Sequence, residues 1–175
     1  MERYPILVGE CRFDSVPFSN EWRLTASSGP VAVIRRHPQR HASAMTLASG
    51  TRIDIEPDGW GEVVAREGET EHYRIARRSW LGRRFSISGT GFACELTSDR
   101  LPRRWTMRIG GEPIGRLVGS LVSYNRLAAT ADVSIPAVAL SLAWHVLARP
   151  WEAAATPGVL RPAAAARSAW QRTDV

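Results

Sequence analysis

Lysine is missing altogether: all 23 basic residues of this 175-residue chain are arginine. Taken with the alanine-rich C-terminal stretch, this bias matches codon usage in a GC-rich genome, so the isoelectric point near 10.5 overstates any selection for basicity. Cysteine is scarce. Cys11 and Cys94 stand 83 positions apart and outside any CxxC spacing, which argues against a disulfide framework or a thiolate metal site, and both read as small core residues. No apolar run is long enough to cross a bilayer. The most hydrophobic one, Ala137 to Ala148, would rise about 18 Å as a helix against a hydrocarbon layer of about 30 Å. A secretory leader is not expected, because MERYPILVGECRF is interrupted by Glu10, Arg12 and Asp14, and the default compartment is therefore the cytoplasm. Signatures of catalysis are absent as well. There is no GxSxG, HExxH or Walker loop, and Gly110-Gly111-Glu-Pro-Ile-Gly115 has hairpin spacing without the helix that phosphate cradling requires. The expectation is a protein that is not an enzyme, with no catalytic residue and no cofactor.

Acids are nearly absent from one segment. Between Arg74 and Arg108 nine arginines face only Glu95 and Asp99, a net +7, while the rest of the chain sums to −1. Just upstream, from Asp54 to Glu71, seven acids face only Arg66. The surface should be dipolar, with one focused positive region able to attract phosphates or acidic partners.

What is present is alternation. Ile53 and Ile55, Tyr73 and Ile75, Phe85 and Ile87, and Trp105, Met107 and Ile109 each keep a period of two. Three pairs read as hairpins: Trp105–Ile109 with Ile114–Leu117 across Gly110-Gly111, Phe85–Ile87 with Phe92–Leu96 across Gly89 and Gly91, and Ile53–Ile55 with Val63–Val64 across Pro57-Asp58-Gly59. With the runs near Trp22–Leu24, Val31–Ile34, Leu121–Tyr124 and Leu127–Val133, the count reaches about a dozen strands. A barrel of that size encloses a lumen too wide for its own side chains to fill. Ala137–Ala148, uncharged and without a polar stripe, is the natural plug, because such a helix must be buried all round. Pro136 suits its first turn, Ser134 or Asp132 can cap it, and Pro150 should end it. Residues 1–152 then form one all-β domain, a closed antiparallel barrel around a C-terminal helix. Residues 153–175, rich in Ala, Pro and Arg, read as a flexible tail or a loosely docked helix.

In this arrangement the chain resembles the Tubby C-terminal-like superfamily, which includes phospholipid scramblases and the plant LURP-one-related proteins. The residues that carry the resemblance are the hairpins from Ile53 to Leu117, the last strand Leu127–Val133, and the helix introduced by Val133-Ser-Ile135-Pro136. The resemblance implies a barrel of about twelve strands around a hydrophobic helix over residues 6–150, together with a link to lipid or membrane surfaces. Tubby domains bind phosphoinositides through lysine and arginine, and this chain has no lysine. Scramblases carry an acidic calcium-binding stretch and a cysteine cluster. Neither is present here, so calcium-activated scrambling is not implied.

The sequence Ile75-Ala-Arg77-Arg78-Ser-Trp80-Leu81-Gly82-Arg83-Arg84-Phe85 places Trp80 and Leu81 at a hairpin tip, with an arginine pair on each side. Guanidinium forks grip phosphate and an indole favours the membrane interface, so the tip suits anionic lipid or an acidic protein partner. A bland alternative has Trp80 folded over a barrel end and the arginines solvated or paired with the acids of 54–71. Arg103 and Arg104 can extend the patch, and Arg35-Arg36 does so more weakly. Nucleic acid is the disfavoured anion, since Phe85 and Trp105 fall in the core register and no RRM, KH or helix-turn-helix signature is present. His37 and His41 have an i, i+4 spacing that suits a metal only on a helix, and Pro38 argues for a loop. His145, within the plug, reads either as a satisfied core histidine or as a contact for an internal ligand. The expected function is a binding module for anionic phospholipid, peripheral to a membrane. The alternatives are a carrier holding an acyl chain or small apolar ligand in the barrel, and a protein scaffold.

Overall fold

The computed structural model describes residues 4–16, 19–120 and 125–155. Twelve strands form one closed antiparallel barrel. They are β1 (Ile6–Ser15), β2 (Glu21–Ala26), β3 (Gly29–His37), β4 (Ala42–Leu47), β5 (Arg52–Pro57), β6 (Glu62–Glu67), β7 (Thr70–Arg77), β8 (Arg84–Gly89), β9 (Phe92–Ser98), β10 (Arg104–Ile109), β11 (Glu112–Gly119) and β12 (Arg126–Pro136), followed by the helix α1 (Ala137–Ala155). Each strand pairs with its neighbour in sequence, and β1 closes the ring against β12. The period of two decides what enters the lumen. Ile53 and Ile55 of β5 are fully buried, and Arg52 and Glu56 on either side of them face out.

The lumen is filled by α1. From Ala137 to His145 no residue is more than 1% exposed. Trp144 stacks on Phe13 with 5.6 Å between centroids and meets Trp22 edge-on at 5.2 Å. The Arg36 guanidinium lies 5.3 Å from the centroid of the same indole. An aromatic body of that size, packed on all sides, fixes how the helix seats in the barrel.

Three expectations are corrected. Pro150 does not end the helix, which continues to Ala155. A proline removes one N–H and crowds the preceding turn, but the alanines and other good helix formers around it carry the helix through. The helix start is not capped by Ser134 or Asp132; Ala137 N–H donates instead to the Pro5 carbonyl at 2.9 Å, so the N-terminal segment supplies the cap. Arg36 is not a surface residue. It continues the inward register of Ile34 in β3 and is 6% exposed, whereas Arg35 faces solvent and meets Glu21 at 3.6 Å. The expected strand Leu121–Tyr124 and the tail beyond Ala155 lie outside the described residues.

Antiparallel order makes the two ends of the barrel different. The turns β2–β3, β6–β7, β8–β9 and β10–β11 have two residues each and share one end. At the other end the connections are longer, with residues 78–83 joining β7 to β8 and 99–103 joining β9 to β10. Since β12 runs toward the tight-turn end, α1 enters there and climbs back to leave at the long-loop end.

Candidate functional site

Four of the most exposed apolar side chains sit on three neighbouring connections at the long-loop end. Trp60 (76% exposed) lies between β5 and β6, Trp80 (83%) and Leu81 (74%) between β7 and β8, and Leu101 (56%) between β9 and β10. Ser79 shapes the β7–β8 connection. Its hydroxyl accepts from the N–H groups of Arg83 at 2.8 Å and Arg84 at 3.0 Å, and its carbonyl accepts from Gly82 N–H at 3.0 Å. Serine competes well for nearby backbone donors, and the resulting tight loop lifts Trp80 and Leu81 outward.

Arg77 is the pivot of this end. It occupies the inward register of Tyr73 and Ile75, at the mouth of the barrel, opposite Phe85. Its Nε donates to Ser79 O at 2.9 Å, its Nη2 donates to Trp80 O, and its guanidinium lies 5.8 Å from the Trp60 ring centroid. Two glycines close over it. A Cβ on Gly61 would stand 3.2 Å from Arg77 Cβ, and one on Gly82 would stand 3.2 Å from Nη2; both glycines also have left-handed φ, +76° and +64°. The guanidinium is therefore held by neutral carbonyls, and its charge is not cancelled.

The other sequence-predicted arginines divide. Arg78 Nε donates to Ser86 Oγ at 2.8 Å, again a neutral partner. Arg84 lies 3.4 Å from Glu95. Arg103, with an unusual φ of +59°, donates from Nη1 to Ser120 O and faces the same cleft as Arg77. Among the described residues no carboxylate pairs with Arg77, Arg78, Arg83 or Arg104. Asp58, Glu62 and Glu71 of the acidic stretch are occupied elsewhere. Arg74 binds Glu71 at 2.8 Å, Asp58 at 2.7 Å and Glu62, and Arg66 approaches Asp58 and Glu71. Hydrogen bonds donated to Glu71 first, then to Asp58 and Glu62, hold Arg74 charged well beyond the ordinary arginine range. Arg74 therefore belongs to the acidic face, and the positive region begins at Arg77.

Beneath the loops a cleft of ≈ 560 Å³ opens between α1 and the strand ends. Val63, Leu81, Phe85, Trp105, Val146 and Leu147 supply its apolar wall, with Arg77 and Arg103 alongside. Phe85 and Trp105 keep the inward register expected of them, but at the mouth they are only half-buried and lie 5.9 Å apart. Trp60, Leu101 and the cleft itself were not indicated by the sequence. The signal was slight: each is a single apolar residue in a loop, and closure of the ring brings them together.

His145 is fully buried and bridges the helix to β4. Nε2 lies 3.1 Å from His41 O and Nδ1 lies 2.9 Å from Ser43 Oγ. A carbonyl can only accept, so Nε2 carries the proton and Ser43 donates to Nδ1. His41 reaches this carbonyl position with a left-handed φ of +53°. Neither cysteine is exposed. Burial, with Glu95 adding to it, pushes the Cys94 thiol up to about 12, and burial raises Cys11 as well. Among the described residues no helix is long and apolar enough to cross a membrane, which leaves strand-built spans unaddressed.

The fold defines a class: a closed antiparallel barrel of twelve strands plugged by a C-terminal helix. No family model matches the chain, and no curated protein matches it. Among solved structures it is similar to the X-ray structure of a protein from Arabidopsis thaliana, with 10% identity, a TM-score of 0.57, and coverage of 83% of this chain and 93% of that one. At that identity the likeness is one of fold.

Proposed function

We propose that this protein is a non-enzymatic binding module of the Tubby C-terminal-like kind, and that its long-loop end engages anionic phospholipid at a membrane surface. The observation that carries the reading is the grouping of Trp60, Trp80, Leu81 and Leu101, all exposed, beside arginines that no described carboxylate neutralises. Indoles and aliphatic tips suit the headgroup layer, and guanidinium groups suit phosphate. At about 1 kcal/mol for each basic residue near an anionic leaflet, Arg77, Arg78, Arg83 and Arg104 would supply about 4 kcal/mol, about a thousandfold in partition.

Co-sedimentation of the full chain with phosphatidylcholine vesicles, with and without phosphatidylserine, tests this. Binding should require the anionic lipid and fade above about 0.5 M salt, where the Debye length is only a few Å. Trp80→Ser combined with Leu81→Ser should abolish binding while leaving the melting temperature almost unchanged, because both side chains already face water. Equal binding to neutral vesicles would refute the proposal. Salt-sensitive capture by an acidic protein without any vesicle binding would redirect the same arginines to a protein partner.

A further inference from the structure

The cleft beneath the loops has a chemistry of its own. Its apolar wall runs from Leu81 and Phe85 down to Val146 and Leu147 of α1, and its ≈ 560 Å³ falls within the ordinary range of small-ligand sites, about 300–1,000 Å³. Its charged lining is Arg77, Arg103 and Glu62. Glu62 is bound by Arg74, which also holds Asp58 and Glu71, and it makes no ion pair with Arg77. Arg77 is different: its two described hydrogen bonds go to the Ser79 and Trp80 carbonyls, and no described carboxylate meets it. Gly61 and Gly82 pack against its stem and its tip, so the cation is fixed before anything binds. A preformed cation at the rim of an apolar recess selects a ligand with one anionic head and an apolar body.

We infer that this cleft binds a single-chain anionic amphiphile of the fatty-acid class, with its carboxylate on the Arg77 guanidinium and its chain against Phe85, Trp105 and Val146. Such a ligand could arrive free in solution or be drawn from a bilayer, and binding at this site does not require the exposed loop tips to touch a membrane. A cationic head would meet Arg77 directly, and an uncharged head would leave the guanidinium unanswered.

Isothermal titration of the full-length protein with dodecanoate below its micellar concentration is the direct test, with dodecanol and dodecyltrimethylammonium as head-group controls. Saturable binding near one ligand per chain is expected for dodecanoate, at least about tenfold tighter than for dodecanol. Arg77→Gln should weaken dodecanoate by about tenfold or more and leave dodecanol unchanged. Val146→Phe, which narrows the cleft, should weaken both; the melting temperature of each variant, measured alongside, confirms that it is folded. Equal affinity for dodecanoate and dodecanol, unsaturable uptake, or an Arg77→Gln variant that binds dodecanoate as well as the parent would overturn the inference. Vesicle co-sedimentation separates the two readings. Trp80→Ser with Leu101→Ser, two exposed loop residues that do not line the cleft, should lose vesicles and keep dodecanoate, whereas vesicle binding by the parent without any dodecanoate binding would sink the cleft alone. To distinguish the source of the ligand, dodecanoate is presented either free or preloaded in phosphatidylcholine vesicles; extraction from the vesicles by the loop-tip variant shows that solution access is enough.

Discussion

Leu142 and Leu81 allow the same deletion to be made in two environments. Leu→Ala removes identical atoms at both positions, but Leu142 is 0% exposed on the central helix and Leu81 is 74% exposed on a loop tip. At Leu142 the loss combines the transfer term with the cavity left inside a closed barrel, about 2–5 kcal/mol. At Leu81 the side chain is already mostly in water, so the change should lie within about 0.5 kcal/mol. For a domain of this size about 1 kcal/mol moves the melting temperature by about 2–4 °C, which predicts a fall of about 4–20 °C for Leu142→Ala and of less than about 2 °C for Leu81→Ala. Far-UV circular dichroism during heating, repeated as urea titrations, gives both numbers. Indistinguishable midpoints for the two variants would refute the claim that the barrel wraps this helix, and Leu142→Asp should go further and prevent folding, because it places an unpaired carboxylate in the core.

Further outcomes follow from the interior. His145→Ala removes the partner of the buried Ser43 hydroxyl, at a cost of about 1–3 kcal/mol, and nitrogen NMR of the parent should find the proton on Nε2 and not on Nδ1. For Cys94, burial makes the folded thiol hold its proton more tightly than the unfolded one, whose ordinary value is 9.0, so its contribution to stability declines as pH rises from 9.0 toward about 12. Cys94→Ala should flatten that part of a stability-against-pH curve, and native protein at pH 9 should resist iodoacetamide far better than urea-unfolded protein. Gly89→Ala should cost about 1–3 kcal/mol by chemical denaturation, because the added Cβ would stand 2.2 Å from the His72 carbonyl oxygen.

The barrel was readable because its signals are local. Ile53 and Ile55, Phe85 and Ile87, and the Gly110-Gly111 turn announce strands and hairpins within a few residues, and α1 announces its burial by having no polar face. Two strands were harder to read. β1 breaks its own alternation at Gly9, where the register against β12 shifts, and β4 is written in small residues, Ala-Ser-Ala-Met-Thr-Leu, whose inward members include a serine reserved for His145. The site was legible only in part. Arg77 to Arg84 with Trp80 is a contiguous cluster and could be seen, but the partnership of Trp60 with Arg77 joins the β5–β6 connection to the end of β7, and nothing in either segment points to the other. Arg36 was misassigned for a related reason. An arginine in strand register is assumed to face water unless something inside, here the Trp144 ring, is known to receive it.

The pairing of the first strand with the last also governs how the chain comes to be folded. On a ribosome adding about 5–20 residues per second, eleven strands emerge before the one that closes the ring, and the helix they surround follows it. Until then the inner faces of the hairpins have nothing to cover them. Nascent chains should therefore be sticky and dependent on chaperones, and final collapse should be slow, as expected when distant segments must meet before any reward is gained. Halting synthesis ahead of Ala137 would yield an insoluble polypeptide and not a smaller barrel.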